Sequence, residues 1–195
     1  MSMSSPIIIG VTGLPSTGKG VFSNVAQKFG FEVVVMGDVI REECAKRGLP
    51  VNRESSNIVM VKLREELGQN AVAISTITKI SKLLEKGIDK ILVDGIRSLP
   101  EVETFRDEFD NFLVVGCHAS PKTRLQRALS RKRKDDAFSV EEFYKRDKIE
   151  LSVGIGDVFA FSDIMISTDD TLENTTMIIS DFFNKIIDYS MVNII

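Results

Sequence analysis

The sequence of 195 residues predicts a single α/β domain in three layers, a five-stranded parallel sheet with helices on both faces. Three observations carry that prediction. Short β-branched runs alternate with stretches of helical spacing, and the runs are apolar along their whole length, as strands buried on both faces are. A glycine-rich loop also joins the first strand to the first helix.

Taken in order, Ile7-Ile8-Ile9-Gly10-Val11-Thr12 reads as a buried strand running into Gly13-Leu14-Pro15-Ser16-Thr17-Gly18-Lys19-Gly20. Val21, Phe22, Val25, Ala26 and Phe29 then follow at helical spacing. A second strand, 32–36, is stopped by Gly37, and Asp38 is placed to cap a helix over about 39–47 that Gly48 and Pro50 end. Residues 53–68 have helical character, and 70–86 form a clearer helix ended by Gly87. The third strand covers 90–95, a helix 99–109, and the fourth strand 112–118. Ser120-Pro121 opens the next helix, with serine at the cap and proline at the first helical position. That helix runs into Arg131-Lys132-Arg133-Lys134, and a polar helix spans about 139–151. The fifth strand is 163–167, and Asp170 with Glu173 makes a capping box for a closing helix near 171–189.

Composition narrows the function classes. Hydrophobic residues make up 43% and charged residues 27%, the balance of a globular chain with a full core. A net charge of −3 argues against a nucleic-acid-binding face spread over the domain. No apolar run reaches membrane-spanning length and the start has no signal-peptide pattern, so a cytoplasmic setting is expected. Cys44 and Cys117 lie on elements of different type and read as small core residues, not a disulfide or metal pair.

In parallel α/β sheets the ligand sits outside the carboxyl ends of the strands. That rule picks out Gly13–Gly20, Gly37-Asp38, Asp94-Gly95 and His118-Ala119-Ser120. The first is Gly-x-x-x-x-Gly-Lys, whose backbone N–H groups cradle phosphates while Lys19 reaches the β and γ phosphates. Position 20 is glycine where most such loops place the hydroxyl that binds Mg²⁺, so the metal must be held another way. Asp94, at a strand end before glycine, reads as a turn former or as a carboxylate near Mg²⁺, with the loop favouring the second. Asp38 reads as a cap, as a holder of Mg²⁺ through water, or as a base for an attacking hydroxyl. Arg41, three residues on, and Arg97 suit a bidentate grip on a second substrate's phosphate, with a surface salt bridge as the plain alternative. Arg131, Arg133 and Arg146 are either a solvated face or part of a short lid that closes over transferring phosphoryl oxygens. His118 at its strand end reads as a local hydrogen bonder.

Gly13–Gly20, Gly37-Asp38-Val39-Ile40-Arg41 and Ile91–Gly95 resemble the phosphate loop, the monophosphate-binding Gly-Asp-x-x-Arg and the Asp-Gly strand end of adenylate kinases and related nucleoside monophosphate kinases. Across nearly its whole length the chain looks like the archaeal adenylate-kinase-related proteins grouped with dephospho-CoA kinases. The resemblance implies a P-loop NTPase fold with an acceptor-binding insert at about 37–70 and a lid at about 131–150. It also implies ATP and Mg²⁺, contacts from Gly13 through Val21 to the donor, and Asp38, Arg41, Arg97 and Arg146 facing the acceptor. Lys19, Asp38, Asp94, Arg131 and Arg133 would carry the chemistry, with Asp38 and Asp94 organising Mg²⁺ through water. Three departures stand out: Val21 replaces the usual threonine, Arg97 comes one place early without a proline, and the lid has no cysteine set for zinc. Two functions remain open on this basis. One is a kinase moving the ATP γ-phosphoryl to a nucleotide-like acceptor such as AMP or dephospho-CoA. The other is a nucleotide-responsive binding protein with slow hydrolysis, whose partner is a macromolecule.

Overall fold

The computed structural model describes residues 5–130 and 139–192 and contains the expected sheet. Its strands are β1 (Ile7–Thr12), β2 (Glu32–Val35), β3 (Lys90–Asp94), β4 (Leu113–His118) and β5 (Ile164–Ser167). All neighbours are parallel, in the order β2-β3-β1-β4-β5. The helices among the described residues are α1 (Lys19–Lys28), α2 (Met36–Lys46), α3 (Arg53–Leu67), α4 (Ala71–Glu85) and α5 (Leu99–Glu108). After β4 come α6 (Pro121–Ser130), α7 (Val140–Val153), α8 (Ile155–Ala160) and α9 (Leu172–Val192).

Strand side chains alternate between two separate cores. Ile8, Ile91, Val93 and Val114 face one way, against Ile40 and Cys44 of α2, Val59 and Leu63 of α3, Ile80 of α4 and Phe105 of α5. Ile9, Val11, Leu92 and Val115 face the other, against Phe22 and Val25 of α1 and Ile179 and Phe183 of α9. The rings of Phe22 and Phe183, 5.1 Å apart and tilted, lock α1 to α9. The register sets Val11 level with Asp94 on one side and Val115 on the other. The carboxyl ends of the three central strands therefore finish together, and the loops that leave them share one edge of the sheet.

Local details differ from expectation in three places. Gly37 does not stop β2; the chain turns straight into α2 at Met36, and Asp38 lies in the first helical turn with no side-chain cap bond at the helix start. Residues 155–160 form a short helix after the left-handed Gly154, a turn that sequence spacing alone did not announce. The α9 start is capped by Thr171, whose Oγ1 accepts from the Asn174 N–H, not by a box of Asp170 and Glu173. The expected serine cap of α6 is present, Ser120 Oγ accepting from the Thr123 N–H, and a capping box not read from the sequence joins Ser139 and Glu142 reciprocally at α7. Cys44 and Cys117 are buried and free. No helix among the described residues is long and apolar enough to cross a membrane.

Candidate active site

The loop after β1 folds as a cradle because two glycines stand where no side chain fits. A Cβ at Gly13 would lie 2.8 Å from the Cys117 carbonyl oxygen and 2.6 Å from Thr17 Oγ1. Gly18, the N-cap of α1, takes the left-handed φ of 94° that favours glycine. Thr17 ties the loop to itself, N–H and Oγ1 both donating to Leu14 O at 3.2 and 2.8 Å. Thr168, just after β5, donates from Oγ1 to Thr17 O, and Arg127 of α6 grips Thr168 O at 2.5 Å. Among the described residues, the N–H groups of Ser16, Gly18 and Lys19 have no protein acceptor. They lie at the N-terminus of α1, where its dipole favours an anion.

Lys19 is the first residue of α1, and its Nζ folds back to donate to Gly13 O inside this ring. Burial pushes the ammonium pKa down, and Asp94 opposes that shift. Asp94, at the end of β3, accepts from Ser23 Oγ at 3.2 Å, one turn along α1 from Lys19. These residues fit a nucleotide's phosphates: unpartnered backbone donors, a lysine aimed at the loop, and a carboxylate beside it. For Mg²⁺ the fit runs through Asp94 and Ser23, since no group of three metal-ligating side chains occurs among the described residues.

Beyond Asp94 opens a cavity of about 410 Å³ between α2, α3, α5 and α7. Four arginines line it: Arg41, Arg64, Arg97 and Arg146. Gly95 and Arg97, which closely follow Asp94 at the end of β3, line it, so the cavity begins beside that carboxylate. Arg97 holds Glu150 at 3.6 Å. Farther in, Glu101 is only 2% exposed; its Oε2 accepts from the Arg97 N–H at 2.8 Å and Arg64 lies 4.0 Å from its other oxygen. Burial pushes the Glu101 carboxyl pKa up, against the opposing backbone bond from Arg97. Arg64 Nε is buried with no partner. Met36, Ile40, Met60 and Val72 supply apolar wall.

Of the residues expected from sequence, Gly13–Val21, Lys19 and Asp94 come together at one site, and Arg41, Arg97 and Arg146 line the adjoining cavity. Asp38 does not line it. Its carboxylate pairs with Arg41, Nε to Oδ1 at 2.8 Å, in a half-exposed groove along the outer side of β2. Arg131 and Arg133 lie outside the described residues. Sequence reasoning missed Ser23, Arg64, Glu101, Arg124, Asp147 and Glu150. Ser23 carried a signal, a hydroxyl four residues after Lys19 and so on the same helix face. Glu101 carried a misleading one, since Ser98-x-x-Glu101 reads as an ordinary capping box.

Comparison with known proteins bears on the family and the fold. Residues 12–144 match the family model described as an AAA domain. A UPF0200 protein of Pyrococcus furiosus is 48% identical over 162 residues, 82% of this chain and 87% of that one. Among solved structures, a gluconokinase from Sinorhizobium meliloti superposes with a TM-score of 0.56 at 12% identity, covering 98% of this chain and 99% of its own. A shikimate kinase from Acinetobacter baumannii in complex with shikimate gives 0.52 at 18% identity, covering 97% and 95%. At such identities the two kinases share the fold, a P-loop kinase-like sheet with flanking helices. Phosphate loop, sheet order and close archaeal relatives thus agree, and the chain belongs to the UPF0200 family of P-loop proteins.

Proposed function

We propose that the protein is an ATP-dependent phosphotransferase that moves the γ-phosphoryl group to a nucleotide-like acceptor. The observation that carries this reading is the arginine-lined cavity opening beside Lys19 and Asp94. A simple hydrolase needs only a water next to its phosphate loop. A chamber of about 410 Å³ with Arg41, Arg64, Arg97 and Arg146 in its wall suits a second anionic substrate.

In this reading the loop N–H groups and Lys19 hold the donor phosphates, and Lys19 leaves Gly13 O to do so. An acceptor oxygen attacks the γ-phosphorus, the bond to the β–γ bridging oxygen breaks, and ADP departs with that electron pair. Asp94 and Ser23 are the residues that would hold Mg²⁺, which would supply charge neutralisation for the donor phosphates. Arg97 and Arg146 orient the acceptor and offset the charge spread over the moving phosphoryl group. Arg41 and Arg97 exchange their carboxylate partners, Asp38 and Glu150, for acceptor oxygens. A sugar-hydroxyl acceptor such as dephospho-CoA profits from a carboxylate base, and Asp38 lies off the cavity. A monophosphate oxygen is already a competent nucleophile and needs none; for a hydroxyl acceptor, Glu150 in the cavity wall is the carboxylate at hand. The test is transfer of labelled γ-phosphate from ATP to AMP, GMP, CMP, UMP and dephospho-CoA in parallel. Transfer to a monophosphate is expected; ATP binding with no transfer to any of the five refutes the phosphotransferase reading.

A further inference from the structure

The interior of the molecule holds one ion pair that the proposed reaction does not use. Arg124 of α6 is 2% exposed and bonds Asp147 of α7 through both terminal nitrogens, at 2.8 and 2.6 Å. Its guanidinium lies 5.0 Å from the Phe143 ring centre, and its Nε is buried without a partner. A buried pair of this kind gains little net stability over apolar replacements, so its presence asks for another reason. The third contact of Arg124 supplies one: Nη1 also donates to the carbonyl oxygen of Pro15, in the phosphate loop, at 3.3 Å.

A trans peptide is planar, with its C=O and N–H pointing opposite ways. Holding Pro15 O toward Arg124 therefore turns the Ser16 N–H the other way. Ser16 is the only non-glycine described residue with positive φ, at 65°, a left-handed conformation that residues with a β-carbon rarely adopt. The N–H of Ser16 has no acceptor among the described residues. The loop is thus held in a conformation its own sequence disfavours, and a side chain from another layer grips the peptide concerned.

We infer that Arg124, locked by Asp147, is a positioning residue of the phosphate loop: it holds the Pro15–Ser16 peptide with the Ser16 N–H ready for a nucleotide phosphate. The inference rests on the reading that this loop binds nucleotide, and it adds how the loop is kept ready. Because Asp147 adjoins Arg146 on α7, the same strut joins the donor loop to the acceptor wall.

The test is a double-mutant cycle read as ADP affinity by calorimetry. Arg124→Met with Asp147→Leu removes both charges at once, which avoids leaving one buried ion alone. ADP binding is expected to weaken about tenfold in the Ser16 chain, the size of coupling that contacting residues show. In a Ser16→Gly background the same pair of substitutions should cost less than about threefold, because glycine adopts positive φ without strain. A merely structural ion pair would cost the same in both backgrounds. Equal losses in the two, or no loss in either, overturn the inference. Should the double substitution fail to fold, Arg124→Lys keeps a charge beside Asp147, yet its single ammonium cannot span both Asp147 oxygens and Pro15 O, and it is read by the same comparison. Absence of ADP binding by the unaltered protein refutes the nucleotide reading itself, and the inference with it.

Discussion

Gly13→Ala is the sharpest test of the cradle, because the structure says what the added methyl would meet. The glycine's φ is not the obstacle; space is. The new Cβ would lie 2.8 Å from the Cys117 carbonyl oxygen, 2.6 Å from Thr17 Oγ1 and 3.2 Å from Lys19 Cγ. Thr17 can rotate its hydroxyl only by giving up its bond to Leu14 O. The Cys117 carbonyl cannot move freely, since β4 is paired on both sides and Cys117 stands opposite Ile166. The loop must therefore shift away from β4. Overpacking of this kind costs about 1–3 kcal/mol. For a chain of this size each kcal/mol lowers Tm by about 2–4 °C, so a fall of about 2–12 °C is expected. The displaced loop should also bind ADP about tenfold less tightly. At an ADP concentration a hundred times the normal Kd, ligand stabilisation of about 2.7 kcal/mol would drop by roughly half. Thermal melts with and without ADP measure both. A variant that melts within a degree of the parent and keeps its full ADP shift would refute the account of Gly13.

Further predictions follow from the same site. Gly20→Ser places a hydroxyl where most phosphate loops have one, and a Cβ there meets nothing within 4 Å; stability should change by less than about 0.5 kcal/mol while Mg²⁺ tightens ADP binding more than in the parent, as titration with and without the metal would show. Lys19→Met should abolish detectable phosphoryl transfer. Because the Lys19 pKa is lowered on folding, the unfolded chain holds that proton at pH values where the folded chain has lost it, so stability contributed by this group rises with pH through the alkaline range. Subtracting the pH profile of Lys19→Met from that of the parent, by denaturant unfolding, should leave that rise. Glu101→Gln keeps an acceptor for the Arg97 N–H but removes the buried charge opposite Arg64. Loss of the roughly 1.5–3 kcal/mol of a charge-assisted bond should lower Tm by about 3–12 °C and, with Arg64 and Arg97 no longer held, weaken monophosphate binding about tenfold or more; unchanged affinity would remove Glu101 from the acceptor site.

What the sequence made legible was local. The strand-loop-helix from Ile7 to Lys28 could be read because its signals, apolar run, two glycines and a lysine, lie within twenty-two residues (7–28) of one another. Asp94 was readable for the same reason, beside a glycine at a strand end, and Arg41 from its place four residues after Gly37. The start of α2 was misplaced because Gly37 looks like a stop, whereas in the fold it falls inside the first turn, where even an added Cβ would make only ordinary contact, 3.5 Å from the Arg41 guanidinium. Asp38 was drawn toward the donor by that same error; a carboxylate in the first turn of a helix starting at Met36 points along β2. Arg124 and Asp147 are 23 residues apart and each looks like an ordinary surface charge; only packing α6 against α7 buries them. Arg64 belongs to α3, whose weakly amphipathic sequence gives no hint of which polar residue turns inward.

The two separate cores have a consequence for how this family can diversify. Donor-side helices α1 and α9 rest on one face of the sheet, while α2, α3, α4 and α5 rest on the other. Substitutions that reshape the chamber at Ile40, Met60, Arg64 or Val72 repack only the second face. Strand side chains alternate, so such changes reach the phosphate loop through the sheet, or by way of α7 and the Arg124–Asp147 pair. On the proposed phosphotransferase reading, a lineage could exchange one acceptor for another by drift in a single layer, with the donor half left intact. The arrangement is modular in the manner of a tool with a fixed handle and an interchangeable head.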